Sequence, residues 1–241
     1  AVNITGPENI ARACQEGGVY MVHVSTGYVH HSHNSADERK ENDQPNPLNY
    51  YSYSKAKADE TLLRMAKQGL KLLIVRPNLL LSAVPHPKNI LAKMAMYSKF
   101  HDIPNSMTVV EDLVQVTGEL VKHQKTGLYN VVNPGLSSPL KIANMLKEII
   151  NPDMEIEKLS KADVDKMFTV KRPDTILSIE KLNREGIMMP EINQRLRGII
   201  TVLRDNLRNS ASQEVMQTTN AENQRRMELK QDQVVSNLIR K

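Results

Sequence analysis

Two short apolar runs, separated by a helical segment, constrain the fold of this chain more than any other feature. The runs occupy residues 19–24 and 72–75, and residues 50–67 between them carry apolar side chains at helical spacing. Short runs of this kind are typical of strands that are buried on both faces. A strand, a long helix and a second strand at this spacing form a βαβ unit with parallel strands. The sequence therefore predicts an α/β fold with a Rossmann-like parallel sheet.

The rest of the chain has weaker patterns, from which we predict three segments. Helices are predicted over residues 6–16, 89–100, 111–122, 139–150 and 190–207, strands over 107–110 and 127–132, and a turn over 133–135. We divide this part of the chain into residues 1–80, which contain the βαβ unit, and residues 81–208, which form a smaller C-terminal α/β domain. Residues 209–241 are rich in Gln, Asn, Glu, Lys and Arg, which is typical of a polar helical or disordered tail.

Composition argues against several classes of protein. The chain has 241 residues, of which 40% are hydrophobic and 24% charged, a usual globular balance. No run reaches the roughly 18 apolar residues that a membrane span requires. The single cysteine, Cys14, cannot form an internal disulfide, so we expect a cytoplasmic protein. The net charge of +5 comes from basic residues interleaved with acidic ones, and Trp is absent, so we do not expect nucleic-acid binding. We also expect no metal.

Three polar groups occupy positions that favour catalysis. Thr26 follows the first predicted strand, and open α/β sheets bind ligands at the carboxyl ends of their strands. Tyr51 and Lys55 are four residues apart, so they share one helix face. A phenol has a pKa of about 10, which an adjacent ammonium lowers by stabilising the phenolate. Such a pair can donate a proton to a carbonyl oxygen that receives a hydride.

Each of these features also has an ordinary structural explanation. A Tyr and a Lys four residues apart are commonly surface packing, and a hydroxyl after a strand is commonly part of a turn. A second pair, Tyr53 and Lys57, has the same spacing. The residues alone therefore leave both the role and the register of the pair open.

The order of these motifs resembles that of the extended short-chain dehydrogenases/reductases that act on nucleotide sugars. The likeness rests on Ser25 to Val29, on Tyr51 to Lys55, on Arg76-Pro77, and on residues 103–109 and 127–135, and it covers roughly residues 2–207. Within that group, the sequence is most similar to the 4-keto reductases of activated-rhamnose synthesis. Ser54 before Lys55, with Asp59 one turn later, matches the family pattern and favours Tyr51 and Lys55 over the second pair.

The resemblance implies a reaction and a set of roles. The reaction is reduction of a dTDP- or UDP-linked 4-keto-6-deoxy sugar to the rhamnose nucleotide, with NADPH (or NADH) as cofactor. Thr26 would polarise the carbonyl, Tyr51 would donate the proton and Lys55 would assist it. The implied cofactor contacts are Ser25, Tyr51, Lys55, Arg76 and Pro77. The implied substrate contacts are Tyr28, Asn89, Lys93 and Arg172.

Two departures from the family pattern qualify this interpretation. No glycine-rich GxxGxxG turn occurs, so the pyrophosphate of a dinucleotide lacks its usual cradle. We interpret the sequence as part of a longer enzyme that lacks its N-terminal part here. The resemblance then implies that residues 1–80 are the C-terminal half of a dinucleotide-binding Rossmann domain and that residues 81–208 are mainly a substrate-binding region. The alternative is a non-catalytic subunit on the same fold, since Pro47-Leu48-Asn49-Tyr50 is similar to the regulatory subunit of methionine adenosyltransferase.

The second departure concerns epimerisation. Tyr28 stands where the bifunctional epimerase/reductases carry a cysteine, although Lys93 matches their lysine. A neutral phenol is a poor substitute for a thiol in proton transfer from carbon. We therefore expect a reductase that works with a separate 3,5-epimerase. The resemblance is also compatible with a homodimer.

Overall fold

The computed structural model describes residues 2–86, 88–167 and 173–209. The helices are α1 (Thr5–Glu16), α2 (Tyr50–Lys67), α3 (Ile90–Met94), α4 (Val110–Lys122), α5 (Pro139–Ile149), α6 (Lys161–Met167), α7 (Glu180–Arg184) and α8 (192–209). The strands are β1 (Met21–Val24), β2 (Leu72–Arg76), β3 (Leu80–Leu81), β4 (Lys99–His101), β5 (Asn105–Val109), β6 (Gly127–Asn130), β7 (Asn133–Ser137) and β8 (Glu157–Leu159). No helix in these ranges has both the length and the apolarity that a bilayer crossing requires.

The first sheet confirms the predicted α/β fold. Its strand order is β1-β2-β6 and both pairings are parallel. The central strand, β2, is buried along its whole length, which explains its uninterrupted apolar sequence. The register aligns Val24 with Val75 and Val75 with Tyr129, so the carboxyl ends of all three strands lie at one edge.

Helices cover both faces of this sheet. On one face, α1 and α2 contribute Ala11, Leu62 and Met65 to an apolar cluster with the strands. On the other face, α4 and α7 pack over β2 and β6. At the edge strand β1, Val22 and Val24 keep 38% and 51% of their surface exposed. The described residues therefore leave one face of β1 uncovered.

The bounds of α2 follow from its sequence. Asn49 has an extended backbone, and its side chain accepts a hydrogen bond from the Ser52 amide at 2.9 Å, which is an N-cap. Arg64 and Lys67 in the last turn complement the helix dipole. Gly69 then takes a positive φ of 103°, a conformation that glycine adopts without strain, and the chain turns into β2. Tyr51 and Lys55 thus lie in the first turns of a well-capped helix.

The remaining strands form two small sheets. Strands β3, β5 and β7 form one sheet, and β4 pairs with β8 in the other. A separate apolar cluster fills this part of the molecule, with α8 contributing Ile192, Leu196, Ile199, Ile200 and Leu203. Strand β6 lies beyond residue 80 but belongs to the first sheet. The division of the chain into domains stays a prediction.

Two local predictions were wrong. The helix predicted over 89–100 ends at Met94, and Phe100 lies instead in β4, opposite Lys158. The turn predicted at 133–135 is the start of β7, which pairs antiparallel with β5. Pro134 fits there because β7 is an edge strand, where a missing amide hydrogen is tolerated.

Candidate active site

The loop after β1 is held in a fixed conformation. Thr26 is buried, and its hydroxyl oxygen accepts a hydrogen bond from the Tyr28 amide at 3.3 Å. A single 3-10 turn, Gly27–Val29, follows. A Cβ atom on Gly27 would lie 2.8 Å from Leu177 and 3.0 Å from the Asn78 amide oxygen, so any larger residue would force these neighbours to shift. The Thr26 hydroxyl is therefore presented at the carboxyl end of the sheet by a closely packed loop.

Lys55 reaches this strand end from helix α2. Its ammonium donates a hydrogen bond to the Val24 carbonyl at 2.8 Å, two residues before Thr26. Burial lowers the pKa of Lys55, and the Asp59 carboxylate opposes that effect. Tyr51 lies one turn earlier and is 48% exposed, and its hydroxyl makes no hydrogen bond to the described residues. The fold thus brings Lys55 to the strand that carries Thr26, with an available phenol one helical turn away.

The second pair on the same helix has different surroundings. The Lys57 ammonium pairs with the Glu60 carboxylate at 2.7 Å, and both side chains are exposed. Tyr53 and Lys57 line an open groove of about 730 Å³. The other residues along it are Glu41, Asn42, Asp43, Gln44, Pro45, Pro47, Ala56, Asp59, Glu60, Leu63, Lys67 and Arg76. Tyr51 and Lys55 do not line this groove. Because Lys55 contacts a strand end and Lys57 contacts an exposed acid, the structure favours Tyr51 and Lys55 as the functional pair.

A buried ion pair lies beneath the helix. The Arg76 guanidinium contacts one oxygen of the Asp59 carboxylate through Nε at 3.0 Å and Nη2 at 2.9 Å. The Ser25 hydroxyl donates to the same oxygen at 2.8 Å. Ser25 and Arg76, which the resemblance assigns to the cofactor, thus direct their side chains to Asp59. Pro77 is buried and its carbonyl accepts from the Gly27 amide at 2.8 Å. Cofactor contact by these three residues stays a prediction.

Two histidines extend this buried group. Nε2 of His30 lies 3.2 Å from Arg76 Nη1. Burial, reinforced by the Arg76 charge, lowers the pKa of His30 to about 4. Neutral His30 therefore accepts this bond through Nε2, since a guanidinium can only donate. His23 Nε2 lies 4.0 Å from the free oxygen of Asp59, and its pKa is lowered by burial and by Lys55. Sequence reasoning missed both histidines; a histidine inside an apolar strand was the one signal for His23.

Comparison with known proteins identifies the family. A family model described as the RmlD substrate binding domain matches residues 1–205. The chain belongs to this family.

Individual relatives of this RmlD-family chain include a bifunctional dTDP-4-dehydrorhamnose 3,5-epimerase/dTDP-4-dehydrorhamnose reductase of Arabidopsis thaliana. The two are 30% identical over 80% of this chain and 65% of the plant protein. The chain thus spans somewhat less than two thirds of that relative's length.

Solved structures share the fold. The L780 UDP-rhamnose synthase from Acanthamoeba polyphaga mimivirus superposes with a TM-score of 0.74 and 26% identity, over 83% of this chain and 70% of that one. A dTDP-4-dehydrorhamnose reductase from Bacillus anthracis, solved in complex with NADP, superposes with a TM-score of 0.69 and 24% identity, over 82% and 70% of the two chains. The Rossmann-like reductase fold predicted from the sequence is therefore confirmed.

The predicted substrate contacts of this RmlD-family chain have varied surroundings. Tyr28 is half-buried in the turn after Thr26. The Asn89 amide donates to the Ser82 and Val84 carbonyls, and its oxygen accepts from two amides at the start of α3. These four bonds use the hydrogen-bonding capacity of Asn89, so the geometry gives it a capping role.

The other two predicted substrate contacts are basic. Lys93 is exposed on α3. Arg172 lies outside the described residues. The assignment of all four side chains to substrate stays a prediction.

Proposed function

We propose that the full-length protein reduces the 4-keto group of a dTDP- or UDP-linked 4-keto-6-deoxy sugar to give the rhamnose nucleotide. The observation that carries this proposal is the bond from the Lys55 ammonium to the Val24 carbonyl, because it joins the Tyr51 helix to the strand end that bears Thr26. Membership of the RmlD family supplies the substrate class. It also favours an enzyme over the non-catalytic subunit that we considered.

The chemistry that we propose uses three side chains of this chain. The Thr26 hydroxyl donates to the sugar carbonyl oxygen and orients it. As that oxygen becomes an alkoxide, the Tyr51 phenol transfers its proton to it. Lys55 stabilises the resulting phenolate through its charge, which acts more strongly because the ammonium is partly withdrawn from water. The Val24 carbonyl holds the ammonium at a constant position while the phenol changes its charge.

NADPH (or NADH), when bound, supplies the hydride. The residues present fit the nicotinamide end of such a cofactor, because Tyr51 is about half exposed and Lys55 lies at the carboxyl end of a parallel sheet. The ten glycines of the chain do not form the turn that binds a pyrophosphate. The proposal therefore concerns the full-length protein, and its tests require that protein.

Further features of the proposal concern partners and location. Tyr28 in place of a thiol supports a reductase that receives its substrate from a separate 3,5-epimerase. A single cysteine supports a reducing, cytoplasmic environment. We also propose that the protein forms a homodimer.

The decisive experiment compares Tyr51→Phe with Tyr53→Phe in the full-length protein. Loss of a general acid lowers rates by about 10²- to 10⁴-fold. We expect that decrease in kcat for Tyr51→Phe, measured as NADPH oxidation with either 4-keto nucleotide sugar, while Tyr53→Phe stays close to the unmodified protein. Calorimetry should show that both variants still bind NADPH.

Three outcomes would contradict parts of this proposal. Full activity of Tyr51→Phe together with loss of activity in Tyr53→Phe would move the site to the second pair. Activity in both variants would exclude Tyr51 and Tyr53 as the general acid. No NADPH binding by the unmodified full-length protein would favour the non-catalytic alternative.

A further inference from the structure

Asp59 is a buried carboxylate whose partners come from two neighbouring strand ends. It lies on α2 one helical turn after Lys55, and only 1% of its surface is exposed. Its carboxylate receives hydrogen bonds from Ser25, directly after β1, and from Arg76, the last residue of β2. One carboxylate therefore joins the helix to the carboxyl ends of two neighbouring strands.

Asp59 connects helix α2, which carries Tyr51 and Lys55, to the end of β1, which precedes Thr26. Ser25 lies between Val24, whose carbonyl binds the Lys55 ammonium, and Thr26. The bond from Ser25 to Asp59 and the bond from Lys55 to Val24 therefore attach consecutive strand residues to α2, one helical turn apart. Two such attachments fix both the distance and the tilt of the helix relative to the strand end.

The Arg76 guanidinium fixes the orientation of the Asp59 carboxylate. Two guanidinium nitrogens converge on one oxygen of Asp59, and a third nitrogen contacts buried His30. Arg76 itself is only 2% exposed, so protein atoms cover almost all of its surface. A planar donor held at three nitrogens restricts the carboxylate more than a single lysine contact would.

Stability alone does not account for this arrangement. A buried ion pair commonly contributes no more stability than apolar residues of similar volume, because both charges lose their hydration. A well-packed Leu and Met at these positions would fill the same space, but neither could bind the Ser25 hydroxyl. The ion pair of Asp59 and Arg76 therefore contributes the position of the strand end relative to α2.

We propose that Asp59 is a positioning residue, which sets the placement of Tyr51 and Lys55 relative to Thr26 through its bonds to Ser25 and Arg76. This inference rests on the proposed function, since it concerns the same site. Asp59 itself acts only through its neighbours. A displacement of about 1 Å at a reacting centre can lower a rate roughly 100-fold, so the attachment has a measurable consequence.

The test replaces the ion pair with apolar residues of similar volume, Asp59→Leu with Arg76→Met, in the full-length protein. We expect kcat to fall about 100-fold with NADPH saturating, so that any loss of a cofactor contact by Arg76 appears in KM for NADPH and not in kcat. A merely structural role would lower the amount of folded enzyme and leave kcat per folded molecule unchanged. Glu60→Gln is the matched control, because Glu60 is the adjacent acid and contacts only exposed Lys57 among the described residues.

A crystal structure of the double variant supplies a readout that does not depend on activity. We expect the Lys55 ammonium to lie beyond about 3.5 Å from the Val24 carbonyl, outside hydrogen-bond distance. If the double variant does not fold, Ser25→Ala tests the same attachment without leaving a buried charge unpaired, and we expect the same direction of change in kcat with a smaller size.

The outcomes separate the two proposals. Unchanged kcat in a folded double variant that retains the Lys55 to Val24 bond would overturn the positioning role. Unchanged kcat in folded Ser25→Ala would overturn it if the double variant does not fold. No turnover by the unmodified protein would refute the proposed reaction, and the Lys55 to Val24 distance would still decide whether Asp59 positions the helix.

Discussion

Helix α2 carries two tyrosine–lysine pairs with the same spacing but different surroundings. The Lys55 ammonium binds the carbonyl at the end of strand β1, whereas Lys57 binds the exposed acid Glu60. The two pairs have the same residue types and therefore the same intrinsic chemistry. The comparison teaches that the spacing of a motif selects candidates, and that the contacts of its cation then distinguish a site from a solvated helix face.

The largest difference between the pairs should appear when each lysine loses its charge. Lys55→Met removes the cation that stabilises the Tyr51 phenolate, so we expect kcat to fall by about 10²- to 10³-fold, within the usual range for assisted proton transfer. Lys57→Met breaks only an exposed ion pair, so kcat should change less than about 2-fold. Steady-state assays of the full-length protein check both values.

The pH profile gives the sign of the lysine effect. Tyr51 must be protonated to act as an acid, so the rate of reduction should fall at alkaline pH. Lys55→Met removes a cation that favours the phenolate, so the alkaline limb of kcat should move to higher pH. An alkaline limb that does not move in Lys55→Met, or moves in Lys57→Met, would contradict the assignment of the pair.

Lowering the pH should destabilise the fold through His30, which lies in the buried group beneath α2. The pKa of His30 lies at about 4 in the fold, below its ordinary value of 6.5. Between these two values the unfolded chain binds a proton that the folded chain does not, so stability rises with pH through this window. The contribution of His30 is complete above about pH 6.5 and is lost as the pH falls to about 4. It amounts to roughly 3 kcal/mol at most.

His30→Gln tests this linkage, because the glutamine oxygen can accept the bond from Arg76 without titrating. We expect the free energy of unfolding to depend less steeply on pH between 6.5 and 4 in this variant, as measured by urea denaturation. His33→Gln is the control, since His33 is exposed three residues later. An equal slope in His30→Gln and the unmodified protein would show that His30 is not the linked group.

The fold around α2 was predictable because its signals are local. Apolar runs predicted β1 and β2 to within a few residues, and the polar-to-helical change at Asn49 predicted the start of α2. Strand β4 was missed for the opposite reason. Phe100 pairs with Lys158, and local periodicity contains no information on a partner so distant in sequence.

The candidate site was likewise predictable only in its local part. Tyr51 and Lys55 were found because a spacing of four residues is a helical property. The sequence did not predict that Ser25 and Arg76 both bind Asp59. This contact depends on how two strands and a helix pack together, which no local pattern describes. The fold therefore gives Ser25 and Arg76 an internal partner that the sequence did not indicate, and their contact with the cofactor stays a prediction.

The smallest expected effect concerns the start of the helix that both pairs share. Asn49→Ala removes the acceptor of the Ser52 amide and should lower the free energy of unfolding by about 1 kcal/mol. Because the cap lies before both pairs, its loss should leave the difference between Lys55→Met and Lys57→Met unchanged. Asn49→Asp retains an acceptor at the same position and should unfold at nearly the same urea concentration as the unmodified protein. Equal destabilisation by Ala and Asp would mean that Asn49 acts through a contact other than the cap.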